Sequence, residues 1–135
     1  MASELPVPVP GPVTDYGLWA QVVRYARCAD SGLHPDGWFP VSIEPSAARH
    51  EAAAAIAVCA TCLVRAQCLA LSLRHWDVGQ HGIWGGLVSA DRARLRRLLP
   101  AGHGRRRGTA VAGTEDVAAM SRVLRGWAVE GVDVP

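Results

Sequence analysis

Three of the four cysteines in this chain lie within ten positions, in the stretch VCATCLVRAQCLAL at 58–71, and the fourth is Cys28. The clustered set has the pattern Cys59-x2-Cys62-x5-Cys68. A C-x2-C pair spans about one helical turn, so both sulfurs can reach one centre, and a thiolate one or two turns later can close the same side. Cys28 completes a four-sulfur site if the thirty intervening residues bring it back.

This spacing is compatible with several kinds of thiol chemistry. An iron-sulfur cluster bound by four thiolates is favoured. A structural zinc site usually has two separated C-x2-C pairs, and the second pair is missing here. A dithiol at Cys59 and Cys62 could exchange disulfides, and four unrelated buried thiols are the remaining alternative.

The chain lacks the usual signs of export. Its first residues, MASELPVPVPGPVTDYG, have neither the basic start nor the apolar core of a secretion signal, and no apolar run approaches the ~20 residues of a membrane span. Half of the residues are apolar and 19% are charged, which is typical of a soluble folded domain. We therefore expect a cytoplasmic protein without a membrane partner, in a compartment where structural disulfides are rare.

Short helices are expected to position the cysteines. The first begins at Thr14 or Asp15, which can cap it, and delivers Cys28 at its end. One face of this helix is apolar and is formed by Leu18, Val22, Tyr25 and Ala26. A loop rich in Pro and Gly follows and is expected to carry Trp38 and Phe39 inward.

The clustered cysteines fall on the next two predicted helices. One is capped by Ser46 and ends near Cys59. Its Glu51 lies early in the helix, where the helix dipole favours a negative charge. The other covers about 63–76 and includes Cys68, and its apolar stripe is formed by Leu69, Leu73 and Trp76.

Two further helices are predicted beyond the glycine-rich break at 77–88. One is capped by Ser89 and stopped by Pro100, with inward-facing Leu95, Leu98 and Leu99. The last covers 115–130 behind Thr114, with an apolar face formed by Val117, Met120, Leu124 and Trp127. The predicted fold class is all-α: about four short helices and loops around the cysteine site, plus a C-terminal helix. The predicted divisions are a lead-in at 1–13, a domain at 14–99, a basic linker at 100–113 and a C-terminal helix and tail at 114–135.

Positive charge is concentrated in one block. Residues 89–108 hold seven arginines and one acid, whereas the segments before and after it are each net negative. Such a block beside a compact domain is typical of contact with a phosphate backbone. The candidate nucleic-acid residues are Arg92, Arg94, Arg96, Arg97, Arg105, Arg106 and Arg107.

Taken together, Cys28, WFP at 38–40, VCATCLVRAQCLA at 58–70 and GIWGG at 82–86 resemble the WhiB-like family of bacterial transcriptional regulators. The resemblance covers about 14–99. It implies a few helices around one [4Fe-4S] cluster held by Cys28, Cys59, Cys62 and Cys68, and no enzymatic activity. Leu63 departs from the proline that the family usually has after the second clustered cysteine.

The same resemblance implies a redox- or nitric-oxide-responsive regulator that docks on region 4 of the primary sigma factor and acts at promoter DNA. Its partner-binding residues are then Trp84, Gly82, Gly85, Gly86, Trp38 and Phe39. Residues 104–108, GRRRG, lack the proline and the alternating glycine of the R-G-R-P minor-groove hook that some members carry, so phosphate contacts are expected rather than base reading. The alternatives are a thiol-disulfide reductase using Cys59 and Cys62, and a zinc-stabilised interaction module.

Overall fold

The computed structural model describes residues 13–99, 111–112 and 114–130, with side chains at 14–99 and 117–126. This part of the chain is mostly helical, which confirms the all-α prediction. Its helices are α1 (Asp15–Tyr25), α2 (Pro45–Glu51), α3 (Ala53–Ala60), α4 (Arg65–Arg74), α5 (Trp76–Gly79), α6 (Ser89–Leu98) and α7 (Thr114–Glu130). Two 3-10 turns, Arg27–Asp30 and Pro35–Trp38, lie between α1 and α2.

A two-residue antiparallel pairing, which the sequence did not predict, precedes α1. Strand β1 (Val13–Thr14) pairs with β2 (Val111–Ala112), directly before α7. Thr14 then caps α1 as predicted, because its Oγ1 accepts a hydrogen bond of 3.0 Å from the Gly17 N–H.

Helix α4 is the centre of the core and packs against both α1 and α7. Its Leu69 and Leu73 are buried as predicted, and they lie in one apolar cluster with Leu18 of α1 and Met120 of α7. The C-terminal helix therefore folds onto the domain. The Trp127 side chain lies outside the described residues.

The predicted second helix is interrupted. Helix α2 ends at Glu51, and α3 starts after Ala52. Glu44, not Ser46, caps α2, with its carboxylate accepting hydrogen bonds of 2.9 Å from the N–H groups of Ser46 and Ala47. Glu51 is at the end of α2 rather than near a helix start, and its carboxylate accepts hydrogen bonds from the loop at 41–42. This tie to the loop stabilises the chain at the break.

Three further predictions of local structure were wrong. Val88, not Ser89, precedes the first turn of α6, and the Ser89 hydroxyl donates to the Gln80 carbonyl. Leu98 faces solvent although Leu95 is buried on the same helix. The third predicted helix is also divided, because His75 separates α4 from α5.

Trp38 and Phe39 do not both point inward. Trp38 is half-buried, but Phe39 is 60% exposed. The loop that carries them stays on the surface and is attached to the turn at 82–83, since the Ile83 N–H donates to the Trp38 carbonyl at 3.0 Å.

None of the helices in the described ranges is by itself long and apolar enough to cross a membrane; α3 and α4 reach that length and composition only as a pair bent by 117°.

The packing of α7 gives a stability prediction. Met120→Ala removes a side chain that is 2% exposed in the core, so we expect the free energy of unfolding to fall by roughly 2–5 kcal/mol in urea denaturation. Arg122→Ala, at an exposed position of the same helix, is the matched control and should change it by less than about 0.5 kcal/mol. Equal effects of the two variants would contradict the packing of α7 on α4.

Candidate metal centre

All four cysteines line one cavity of about 470 Å³. Cys28 lies in the 3-10 turn after α1, Cys59 in α3, and Cys68 in α4. Cys62 lies between α3 and α4, in a turn where its N–H donates to the Cys59 carbonyl at 3.0 Å. The thirty residues after Cys28 thus fold back as the spacing required, and all four thiols are free of disulfides.

The spacing of the four sulfurs decides whether one metal ion can bind all of them. Four thiolates on one zinc ion lie about 3.8 Å apart, because the Zn–S distance is ~2.3 Å in a tetrahedron. Within residues 14–99 and 117–126, no three His, Cys, Asp or Glu side chains form a group that could hold a single metal ion. The four sulfurs are therefore spread around the cavity rather than gathered at the position of a single ion.

Burial opposes the charge that these thiols need as ligands. It raises the pKa of Cys68 to about 12, against a hydrogen bond from the Gly85 N–H that lowers it. Burial likewise raises the pKa of Cys59 to about 11, opposed by the Gly86 N–H. Partial burial also raises the pKa of the more exposed Cys28, with the Cys62 charge adding to the rise. Without a metal, the Cys28, Cys59 and Cys68 thiols are therefore protonated at neutral pH, and they release their protons when a metal binds.

The glycine-rich turn supplies hydrogen-bond donors at this cavity. Gly85 (φ 59°) and Gly86 (φ 79°) have positive φ, which places their N–H groups toward Cys68 and Cys59. A Cβ on Gly85 would lie 2.8 Å from the Leu69 Cβ and 3.0 Å from the Arg65 carbonyl oxygen. The turn can approach the sulfurs only because side chains are absent there.

Two arginines whose charges interact with the cysteines were not assigned to this site from the sequence. The half-buried Arg65 lines the cavity, and its Nε donates to the Gly85 carbonyl at 2.8 Å. Arg92 is fully buried, and its guanidinium donates to carbonyls of the loop at 79–87. The prediction that Arg92 contacts DNA is therefore wrong. The sequence did contain a signal for the burial of Arg92. This residue lies three positions before Leu95, which was predicted to face inward, and it therefore shares the same helix face.

The other predicted arginines fall in three groups. Arg94 and Arg97 are exposed on α6. Arg96 is half-buried, with its guanidinium 5.0 Å from the centre of the Trp76 ring. Arg105, Arg106 and Arg107 lie outside the described residues.

Five of the six predicted partner-binding residues line the cavity, namely Trp38, Phe39, Gly82, Trp84 and Gly85. Phe39 covers Gly82, where a Cβ would lie 2.8 Å from the ring. Trp84 is half-buried rather than projecting freely, and its Nε1 donates to the His81 carbonyl at 2.8 Å. Val41 and Ile43, more than 90% exposed, extend this apolar surface beyond Phe39. The alternation of apolar residues at 39, 41 and 43 is the sequence signal for it.

Residues 19–95 match the family described as Transcription factor WhiB. The chain is 36% identical over 114 residues to the transcriptional regulator WhiD of Streptomyces coelicolor. This alignment covers 82% of the chain and 88% of the relative. It is 35% identical over 97 residues to the transcriptional regulator WhiB2 of Mycobacterium tuberculosis, covering 72% of this chain and 97% of the relative. No solved structure matches the chain.

The close approach at the glycine turn can be tested by substitution. In Gly85→Ala the new Cβ meets backbone and side-chain atoms of α4 at a positive φ, so we expect a loss of roughly 1–3 kcal/mol in the urea unfolding of the reduced, metal-free protein. Gly37→Ala is the control, because no heavy atom lies within 4 Å of its added Cβ. A Gly85→Ala variant as stable as Gly37→Ala would contradict the described packing of the turn.

Proposed function

The chain belongs to the WhiB family of transcription factors, and from this premise we propose that it is a [4Fe-4S] regulator acting through region 4 of the primary sigma factor. The cluster ligands are Cys28, Cys59, Cys62 and Cys68. The regulator responds to redox change or nitric oxide, works in the cytoplasm and is not an enzyme. The observation that carries the proposal is the convergence of all four thiols on one cavity.

The residues around the cavity have defined tasks in this proposal. The cluster supplies a redox- and nitric-oxide-sensitive group. Gly85 and Gly86 direct N–H groups at two of the sulfurs, and Arg65 adds a positive charge close to Cys59 and Cys62. Together they offset the cost of placing negative sulfur in a small apolar interior.

The partner surface follows from the same geometry. Phe39, Val41 and Ile43 are exposed and line one shallow pocket together with Gly82, and a contiguous exposed apolar surface is typical of a protein-protein interface. Because the Gly82–Gly86 turn borders both this surface and the sulfurs, the state of the cluster and the shape of the docking surface are linked.

The proposed contact with promoter DNA is made by arginines outside the core. Arg94 and Arg97 are exposed on α6, and Arg105, Arg106 and Arg107 follow it in the chain. Such contacts raise affinity in a salt-dependent way without specifying bases.

Two alternatives are less well supported. A zinc-stabilised module requires four sulfurs close enough for one ion, and they are not so placed. A thiol-disulfide reductase needs a nucleophilic thiolate, whereas burial raises the pKa of Cys59 to about 11.

The distant ligand provides the sharpest test of the cluster. In Cys28→Ala, one iron loses its thiolate, so we expect anaerobically purified protein to lose most of its iron, acid-labile sulfide and brown colour. His81→Ala is the matched control, because His81 lines the same cavity without being a proposed ligand and should keep them. Full iron content in Cys28→Ala would remove Cys28 from the ligand set. Retained disulfide reductase activity in variants lacking Cys28 or Cys68, from a colourless parent protein, would favour the dithiol alternative.

The docking surface is best tested at Phe39, since truncating an exposed ring leaves the core intact. In the cluster-loaded protein, Phe39→Ala should weaken binding to sigma region 4 by about 30-fold, equivalent to ~2 kcal/mol, measured by calorimetry. Leu98→Ala removes a similarly exposed apolar side chain from α6, away from this surface, and should bind normally. Trp84→Ala should also abolish binding without loss of cluster absorbance. Equal weakening by Leu98→Ala would show that the surface is wrongly assigned.

A further inference from the structure

The turn that follows Trp84 is a two-residue hairpin loop whose central residues are both glycine. The Leu87 N–H donates to the Trp84 carbonyl at 3.1 Å, and the Trp84 N–H donates to the Leu87 carbonyl at 3.3 Å. Between them, Gly85 and Gly86 have φ angles of 59° and 79°. Positive φ at both central residues identifies a type I′ turn.

A pair of glycines does not by itself select this type of turn. A type II′ turn closes the same two-residue hairpin, and it has a positive φ at its first central residue only. The two types differ in the direction of the peptide between the central residues, and glycine adopts both conformations readily. A contact from outside the turn must therefore fix the direction of the peptide between Gly85 and Gly86.

Arg65 of α4 makes that contact. Its Nε donates a hydrogen bond of 2.8 Å to the Gly85 carbonyl. Its guanidinium lies against Gly86, where an added Cβ would be 2.8 Å from Nη2 and 3.2 Å from Nε. Its backbone carbonyl oxygen lies 3.0 Å from the position that a Cβ on Gly85 would take. One residue thus contacts both glycines and binds the carbonyl oxygen of the peptide between them.

The opposite side of the same peptide faces the cysteine cavity. In a trans peptide the Gly85 carbonyl and the Gly86 N–H point in opposite directions. The Gly86 N–H forms a hydrogen bond with Cys59, whose Cβ lies 3.2 Å from the position of a Cβ on Gly86. When Arg65 holds the carbonyl, it therefore also keeps the N–H directed at the sulfur. A flipped peptide would turn its carbonyl oxygen toward Cys59 instead.

We propose that Arg65 is the positioning residue that holds the Gly85–Gly86 peptide in its type I′ orientation, with the N–H toward Cys59. Hydrogen bonds to the sulfurs are among the factors that set the reduction potential of an iron-sulfur cluster. Arg65 thus acts on the potential through this peptide, in addition to the effect of its own charge. The inference rests on the proposed function and adds to it a residue that tunes the cluster.

Two neutral variants separate the hydrogen bond of Arg65 from its charge. Arg65→Gln keeps an N–H donor at the place of Nε along the side chain, whereas Arg65→Met has a methyl group there. The full chain, loaded with its cluster, is titrated anaerobically with a reductant and followed by its visible absorbance. Because an N–H donor stabilises the more negative, reduced cluster, we expect a more negative midpoint potential in Arg65→Met than in Arg65→Gln.

Crystal structures of the same proteins show the turn directly. We expect the Gly85 carbonyl to point toward residue 65 in the wild type and in Arg65→Gln, and toward Cys59 in Arg65→Met. Iron and sulfide contents are measured on every sample. A wild type without iron and sulfide would refute the cluster, whereas the direction of the carbonyl still tests the role of Arg65.

Gly86→Ala reaches the same flip without removing the charge of Arg65, and it decides the question if Arg65→Met does not fold. An alanine favours the negative φ that a type II′ turn has at this position, so we expect a flipped peptide and a potential below that of the wild type. Gly37→Ala is the matched control and should keep the wild-type potential, since no heavy atom lies within 4 Å of its added Cβ.

Equal midpoint potentials in Arg65→Met and Arg65→Gln would overturn the inference, because they would show that only the charge of Arg65 acts on the cluster. A type I′ turn retained in Arg65→Met would overturn it as well, since the peptide would then keep its direction without the hydrogen bond. A wild-type potential in Gly86→Ala would have the same consequence.

Discussion

The gathering of four cysteine sulfurs around one cavity is the constraint on which the rest of this domain depends. An apolar interior this small cannot solvate several thiolates, and burial accordingly raises the pKa of Cys28, Cys59 and Cys68. The surrounding elements compensate with directed N–H groups from Gly85 and Gly86 and with two guanidinium groups. The positive φ angles of Gly85 and Gly86 are explained by this requirement.

Helix α4 belongs both to the helical core and to the sulfur site. Its Leu69 and Leu73 lie in the apolar cluster with residues of α1 and α7, and its Cys68 packs against that cluster and lines the cavity. The glycine-rich loop also rests on it: a Cβ on Gly79 would lie 2.0 Å from the Ser72 carbonyl oxygen. Changes at the sulfurs and changes in packing are therefore not independent, because both act on the same ten residues.

Local signals predicted the helical elements well and long-range contacts poorly. The Thr14 cap predicted the start of α1 correctly. The apolar periodicity of α4 and α7 predicted approximately correct bounds for those two helices. The break at Ala52 could not be predicted, because an alanine-rich segment favours one continuous helix, and the tie from Glu51 to the loop at 41–42 is tertiary.

The site shows the same division. Cysteine spacing predicted that four sulfurs converge, but it contained nothing about which arginines lie beside them. Arg92 occurs in a run of arginines whose composition suggests solvent and nucleic acid. Arg92 differs from the exposed Arg94 and Arg97 in its position on the helix relative to Leu95. A prediction made from the composition of the segment does not take that position into account.

The first turn of α6 is fastened on two sides by adjacent residues. Asp91 is bound by Arg49 of α2, and Arg92 is bound by the loop at 79–87. The helix therefore has a pivot at its beginning, and Arg97 lies ~7.5 Å along the axis from it, at a rise of about 1.5 Å per residue. Because these two adjacent residues join α6 to two different elements, the helix cannot slide along its own axis without breaking contacts with both α2 and the loop.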